Sequence, residues 1–68
     1  MNEHLSAFFA MNTQCAARCA EIERDGAPHP WERVNAVEDT QVGPLGYRIV
    51  WRDRYGVRHV EQYRRPNI

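Results

Sequence analysis

Lysine is absent from this chain of 68 residues, and all nine of its basic residues are arginine. Codon usage in a GC-rich genome accounts for such a bias, so only the positions of the arginines carry information about function. Long apolar runs are also absent. The longest, residues 7–11, is far shorter than the ~20 residues that a membrane-spanning helix needs. No membrane partner is therefore expected.

Cysteine is scarce, because Cys15 and Cys19 are the only two in the chain and cannot build a disulfide framework. The first residues lack the basic segment and apolar stretch of a secretory signal. We therefore expect a cytoplasmic protein with reduced thiols. The length allows one domain, residues 1–68, and excludes a Rossmann unit or a β/α barrel.

Residues 3–25 are predicted to form an amphipathic helix, because apolar and small residues recur there at intervals of three and four. Asn12 falls within this face and is expected to be a buried, hydrogen-bonded amide. Asn2 is expected to cap the helix, and Gly26 to end it in a left-handed conformation. The predicted buried face consists of Leu5, Phe8, Phe9, Cys15, Ala16, Cys19 and Ile22.

Two prolines, Pro28 and Pro30, predict a rigid connector over residues 26–30, because each restricts its own backbone and that of the residue before it. The valines that follow favour an extended strand over residues 31–42. A short helix beginning at Pro30 is the alternative for this segment.

A β-hairpin is predicted over residues 46–64, after a turn at residues 43–46, and a tail follows at residues 65–68. Asp53 and Gly56 mark the hairpin loop, with glycine at the left-handed position. If residues 54–56 form this loop, Asp53 lies opposite Val57 and Trp51 opposite His59. Tyr47 then lies opposite Tyr63.

Strand alternation sorts this hairpin into two faces. One face is aromatic and is expected to pack against the helix, with Trp31 near the edge of the core. The core residues predicted from the hairpin are Tyr47, Ile49, Trp51, Val57 and Tyr63. The other face carries Arg48, Val50, Arg52, Arg58, Val60, Gln62 and Arg64. The fold class is therefore α+β, an N-terminal helix on a small antiparallel sheet made of the hairpin and a third strand.

Charge is segregated along the chain, although the formal net charge is zero. Residues 1–44 contain three arginines and seven acids, whereas residues 45–68 contain six arginines and two acids. The two segments therefore carry −4 and +4. Codon usage explains arginine in place of lysine but not this segregation, which favours a functional arginine surface.

The sequence offers weaker evidence for catalysis or metal binding than for a functional arginine surface. Cys15 and Cys19 lie one helical turn apart and could bind a metal with His29 or His59, but they lie mid-helix on the expected core face, without a second cysteine pair. They also lack the spacing of a redox motif. His59 is expected to be held by Glu61, although a Cys19–His59 pair would suit nucleophilic chemistry. A chain this small hardly forms a substrate pocket, so we expect neither an enzyme nor a cofactor.

Two binding functions remain open for the arginine face. Arginine and tyrosine are enriched in protein interfaces, which favours a small regulatory protein, of adaptor or inhibitor type, that docks on a protein partner. The alternative is a nucleic-acid-binding ribbon whose arginines contact phosphates, with Tyr55 or Tyr63 stacking on a base. A homodimer also remains open. The composition is typical of small phage, plasmid or bacterial proteins. The predicted contact residues are Arg48, Arg52, Arg54, Tyr55, Arg58 and Arg64.

Overall fold

The structure, a computed structural model, describes residues 3–66 except the side chain of His4. Helix α1 (Glu3–Arg24) packs on a sheet of strands β1 (Ala36–Gly43), β2 (Gly46–Arg52) and β3 (Arg58–Arg64). The strands are antiparallel in the order β1-β2-β3. The predicted α+β fold is confirmed. The predicted cap Asn2 lies outside the described residues.

The C-terminal end of α1 is fixed by Gly26 and Asn35. Gly26 adopts a φ of 79°, the left-handed conformation predicted for it. Asn35 is buried, and its side-chain amide donates hydrogen bonds to the carbonyl oxygens of Ile22 (2.7 Å) and Asp25 (3.1 Å). The last carbonyls of a helix lack full partners within the helix. The Ile22 carbonyl otherwise accepts only a 3.3 Å hydrogen bond from the N–H of Asp25, so Asn35 completes the bonding at this end of α1.

The helix face that packs on the sheet agrees with the predicted one at Cys15, Cys19 and Ile22 and differs from it in the first half of the helix. Its buried residues are Ala7, Met11, Cys15 and Ile22, with Cys19 half-buried beside them. The larger residues Leu5, Phe8 and Phe9 are exposed, as are Ala16 and Asn12, so these predictions were wrong. The face through Phe8 would have buried the Asn12 amide, whereas the polar residue on the face through Met11, Arg18, is only half-buried and bonds to Glu61.

Strand β1 begins at Ala36, five residues after the start predicted for the strand over residues 31–42. The connector extends further than its prolines indicate. Trp31 is 72% exposed and stacks on His29 instead of lying at the core edge, so that prediction was also wrong. Residues 31–35 are used to reverse the chain direction and to bring Asn35 to the end of α1.

A β-bulge at Glu38 sets the faces of β1. Val37 pairs with Trp51 and Asp39 pairs with Val50, so Glu38 is an extra residue that lies opposite no residue of β2. Val37 and Val42 are separated by an odd number of positions and would lie on opposite faces of a regular strand. The bulge restores them to one face, where both pack against the core.

The predicted hairpin register is confirmed, since Tyr47 pairs with Tyr63 and Trp51 with His59. In the loop, one Asp53 carboxylate oxygen accepts hydrogen bonds from the backbone N–H groups of Tyr55 (2.8 Å) and Val57 (2.9 Å). Gly56 adopts a φ of 82°, which explains the glycine at this position.

The core is centred on Ile49, which is completely buried and clusters with Cys15 and Ile22. Helix α1 packs on β1 and β2 but not on β3. For this reason Tyr63 on β3 stacks on Tyr47 at 5.4 Å yet remains exposed. Val57, in the loop before β3, is exposed as well. The prediction that Val57 and Tyr63 are core residues was therefore wrong.

One ion pair joins β3 to the helix. The guanidinium of Arg18 donates two hydrogen bonds of 2.8 Å to the carboxylate of Glu61. This bidentate geometry is the strongest form of such a pair. It lowers the pKa of Glu61 and raises the pKa of Arg18. Glu61 is therefore occupied by Arg18 and does not hold His59 as predicted.

Replacement of Asn35 by alanine is expected to destabilise the fold by about 1–3 kcal/mol, because the carbonyls of Ile22 and Asp25 each lose a hydrogen bond from the buried Asn35 amide. Urea unfolding monitored by circular dichroism measures this change. The matched control is Asn12→Ala, which removes an exposed amide and should cost about 0.5 kcal/mol or less. Equal effects of the two substitutions would contradict the assignment of Asn35 as the helix-ending residue.

Replacement of Glu61 by glutamine is expected to cost about 0.5–1 kcal/mol at pH 7, since the pair with Arg18 is only partly buried. Because folding lowers the pKa of Glu61, the contribution of its carboxylate is present above the unfolded-state pKa of about 4.3 and disappears as pH falls through the lower folded-state pKa. The stability difference between wild type and variant should therefore close in acid.

The control for this pH dependence is Glu21→Gln. Glu21 also pairs with Arg18, at 3.2 Å, but its side chain is largely exposed. Its replacement should change stability little at any pH. A difference between wild type and Glu61→Gln that persists unchanged at pH 2 would contradict the assigned charge pairing. Urea unfolding curves at pH 7, 5, 4, 3 and 2 test this prediction.

Candidate binding face of the sheet

The face of the sheet turned away from α1, here called the open face, carries the predicted contact arginines. Tyr47 and Trp51 pack toward the helix, so the alternate residues of β2 project to the other side. The paired positions of the neighbouring strands follow the same alternation. The open face consists of Ala36, Asp39 and Gln41 from β1, Arg48, Val50 and Arg52 from β2, and Arg58, Val60, Gln62 and Arg64 from β3.

Cross-strand pairing arranges these residues in rows. Gln41, Arg48 and Gln62 form one row, and Asp39, Val50 and Val60 form the next. Val50 lies in the central strand and is buried, whereas Val60 is 47% exposed. The open face therefore presents one exposed apolar side chain with arginines on both sides of it along the strands.

Arg52 is engaged within the molecule. Its Nε lies 3.3 Å from a carboxylate oxygen of Glu38, the bulge residue, and its Nη1 donates a 2.7 Å hydrogen bond to the carbonyl of Gly56. The guanidinium thus joins β1 to the hairpin loop. Arg58 lies directly opposite Arg52, where like charges repel. The carboxylate of Glu38 reduces this repulsion between Arg52 and Arg58 because it pairs with the Arg52 guanidinium.

Arg54 is also engaged, and it lies in the hairpin loop between β2 and β3. Its Nη2 donates a 2.9 Å hydrogen bond to the carbonyl of Gly26, just beyond the end of α1. A cation at this position interacts favourably with the negative end of the helix dipole. Tyr55 at the loop tip is 81% exposed, with its ring 6.0 Å from the Arg54 guanidinium.

The remaining predicted arginines, Arg48, Arg58 and Arg64, differ from these two. Within residues 3–66, no carboxylate lies within 4.0 Å of any of their guanidinium groups. All three lie on the open face, on the central strand and the β3 edge. The structure thus divides the predicted arginines into two that join separate parts of the fold and three that have no carboxylate partner in the described part of the chain.

The helix-facing side of β3 carries His59, which was considered for catalysis. Its Nε2 lies 2.9 Å from a carboxylate oxygen of Asp53, and its ring stacks on Trp51 at 4.1 Å. The contact with His59 is the main reason for the lowered pKa of Asp53. His59 therefore links strand β3 to Asp53 at the start of the hairpin loop. Its carboxylate partner is Asp53, whereas the sequence predicts Glu61.

The two thiols lie at the interface of helix and sheet. Cys15 is buried and Cys19 is half-buried. Burial, with Cys15 as a neighbour, raises the pKa of Cys19 to about 11. A thiol with such a pKa is a poor nucleophile and a poor metal ligand at neutral pH. In the described part of the chain, no three cysteine, histidine or acidic side chains are grouped closely enough to hold a metal ion.

A cavity of about 890 Å³ forms an open groove between the first half of α1 and the end of β3. Glu3 and Gln14 line one side, and Tyr63 and Arg65 line the other. Within residues 3–66, no helix has the length and apolar character needed to cross a bilayer.

Comparisons with models of protein families, with curated proteins and with solved structures find no match to this chain. The function must therefore be argued from the site itself.

Iodoacetamide is expected to alkylate the folded protein at pH 7.5 at least about 100-fold more slowly than the urea-unfolded chain. Folding buries Cys15 and raises the pKa of Cys19 to about 11, whereas a thiol in the unfolded chain has a pKa of about 8.5. Mass spectrometry of the alkylated protein over time measures both rates. Iodoacetamide with free cysteine under both solvent conditions provides the control for intrinsic reactivity. Comparable rates for the folded and unfolded protein would contradict the burial of the two thiols and the raised pKa of Cys19.

Proposed function

We propose that this protein is a small non-catalytic binding protein that docks on an acidic protein surface through the open face of its sheet. The observation that carries the proposal is a set of arginines, Arg48, Arg58 and Arg64, that have no carboxylate partner within residues 3–66 and lie around the exposed side chain of Val60. Arginine around an apolar centre is a combination typical of protein interfaces.

The composition of the open face favours a protein partner over nucleic acid. Asp39 lies on the same face, in the row of Val50 and Val60, where it would repel phosphates. The aromatic residues of β2 and β3 lie on the helix-facing side, so the open face itself offers no aromatic ring from these strands for stacking on a base. The whole chain is also neutral, with a sequence pI of about 6.8, whereas dedicated nucleic-acid-binding domains are usually basic.

A binding function also suits the size of the molecule. The open face is the surface of a sheet, and docking of a partner protein on it does not require a deep cavity. Arg52 and Arg54, although predicted as contacts, already bond within the molecule. We therefore assign the contacts to Arg48, Arg58 and Arg64, with Val60 at their centre.

Reversal of charge at Arg58 is expected to abolish binding of the cellular partner. The experiment uses immobilised full-length protein to capture partners from the native cell extract, with quantitative mass spectrometry of the retained proteins. Wild type should retain a protein with an acidic surface, and Arg58→Glu should lose it at least about tenfold, the effect of ~1.4 kcal/mol. Nuclease treatment of the extract should not change the retention.

The matched control is Arg24→Glu, which reverses an exposed charge on α1 away from the open face. This variant should retain the partner as wild type does. Equal retention by wild type and Arg58→Glu would contradict the proposed face. Retention that disappears after nuclease treatment, together with DNA or RNA binding that falls steeply with salt, would instead support the nucleic-acid alternative.

A further inference from the structure

Strand β3 is an open edge of the sheet. Among the described strands it pairs only with β2, and its contact with α1 is the ion pair of Glu61 with Arg18. The other edge strand, β1, is interrupted by the bulge at Glu38, and α1 packs on one of its faces. A bulge is a common way in which proteins block an edge strand. Strand β3 has no bulge in its pairing with β2, which is regular from Arg58 to Arg64.

The backbone groups that β3 presents at this edge can be identified from its pairing. The N–H of Asp53 bonds to the carbonyl of Val57, and the N–H of Arg65 bonds to the carbonyl of Leu45. Odd-numbered residues at both ends of the strand therefore bond toward β2. Since N–H and C=O groups alternate sides along an antiparallel strand, those of the even-numbered residues point to the free edge. They belong to Arg58, Val60, Gln62 and Arg64.

The same four residues carry their side chains on the open face, so an added strand would meet both sets of groups at once. Arg58 and Arg64 would lie opposite its outer positions, and Val60 and Gln62 opposite its inner ones. The only acid of β3 is Glu61, which lies on the helix-facing side and is bound by Arg18. The charge available at this edge is therefore positive.

We propose that an extended acidic segment of a partner protein adds to β3 as an antiparallel fourth strand. This inference rests on the proposed function and specifies its binding mode. The matching segment carries acids at its two outer positions, opposite Arg64 and Arg58. Between them, at alternate positions, it carries a polar residue opposite Gln62 and an apolar residue opposite Val60. Main-chain hydrogen bonds supply affinity, and the carboxylates supply register and selectivity.

The probe is a capped heptapeptide of sequence Glu-Thr-Gln-Thr-Val-Thr-Glu, titrated into the full-length, nitrogen-15-labelled protein and followed by NMR. In the proposed register, its Glu, Gln and Val residues direct their N–H groups toward β3, and its threonines direct theirs away. N-methylation at Gln and Val should weaken binding at least about tenfold, through the loss of inter-strand hydrogen bonds. N-methylation at two threonines is the matched control and should leave the affinity unchanged.

Amide hydrogen exchange gives an independent readout on the same complex. In the free protein the amides of Arg58, Val60 and Gln62 should exchange faster than those of His59 and Glu61. Saturating peptide should slow the first group at least about tenfold and leave the second group unchanged. Unchanged exchange of the first group in a saturated complex would overturn the proposed strand addition.

A proline substitution tests the edge from the protein side. Gln62→Pro removes an outward N–H without breaking the pairing with β2, as proline is tolerated on the free side of an edge strand. It should lose peptide binding at least about tenfold, whereas Gln62→Ala, which keeps the N–H, should bind within about twofold of wild type. If Gln62→Pro does not fold, the methylated peptides decide the question.

The outcomes separate this inference from the proposed function. Equal binding of all three peptides, lost in Arg58→Glu, would overturn strand addition while leaving side-chain docking on the open face intact. Binding of none of the peptides would also overturn strand addition, and the capture experiment with Arg58→Glu would then decide the proposed function independently. Loss of affinity only on methylation of the inward-facing amides supports the inference.

Discussion

Helix α1 covers two of the three strands of the sheet, and the exposed surfaces of the molecule depend on this constraint. Coverage of β1 and β2 places Ile49, in the middle of the central strand, under the helix and makes it the most buried residue. It also leaves β3 attached by its pairing with β2 and by the Arg18–Glu61 pair. The strand with the weakest cover is therefore the one that offers the arginines of the open face and an unpaired edge.

The arginines perform two kinds of work in this fold. Arg18, Arg52 and Arg54 each bridge two elements, with partners on β3, in the bulge and at the end of α1 respectively. A planar guanidinium with several donors suits such bridging, since it can bond to a carboxylate and a carbonyl at the same time, as Arg52 does. Arg48, Arg58 and Arg64 have no such role in the described chain, which makes them the informative group for function.

The hairpin could be predicted from the sequence because its signals are local. Asp53 and Gly56 determine the loop, and the loop determines which residues of the two strands are paired. The open face and its four arginines follow from that register alone. The division of the predicted arginines into engaged and free ones could not be predicted, because the partners of Arg52 and Arg54 are distant in the sequence. Glu38 becomes available to Arg52 only through the bulge, and Gly26 becomes available to Arg54 only in the folded chain.

The helix shows where local patterns are insufficient. Apolar residues recur at helical spacing on two overlapping faces of α1, one through Phe8 and one through Met11. The sequence favours burial of the more hydrophobic face, through Phe8, whereas the face through Met11 packs on the sheet. Asn12 was the signal that could have decided, because burying its amide would require a partner from the sheet. Similarly, Val37 and Val42 have an odd spacing that a regular strand cannot place on one face. That spacing indicates a bulge between them, and the structure has one at Glu38.

The arginines of β3 also bear on pairing between two copies of the chain. In an antiparallel pair of β3 strands with complete overlap, the outward-facing residues meet so that Arg58 lies opposite Arg64 of the second copy, and this happens twice. Like charges directly opposite each other destabilise a strand pair. The same two positions attract a strand with acids at its ends. In this register the charge pattern disfavours pairing of two β3 edges, whereas it is compatible with the acidic segment proposed above.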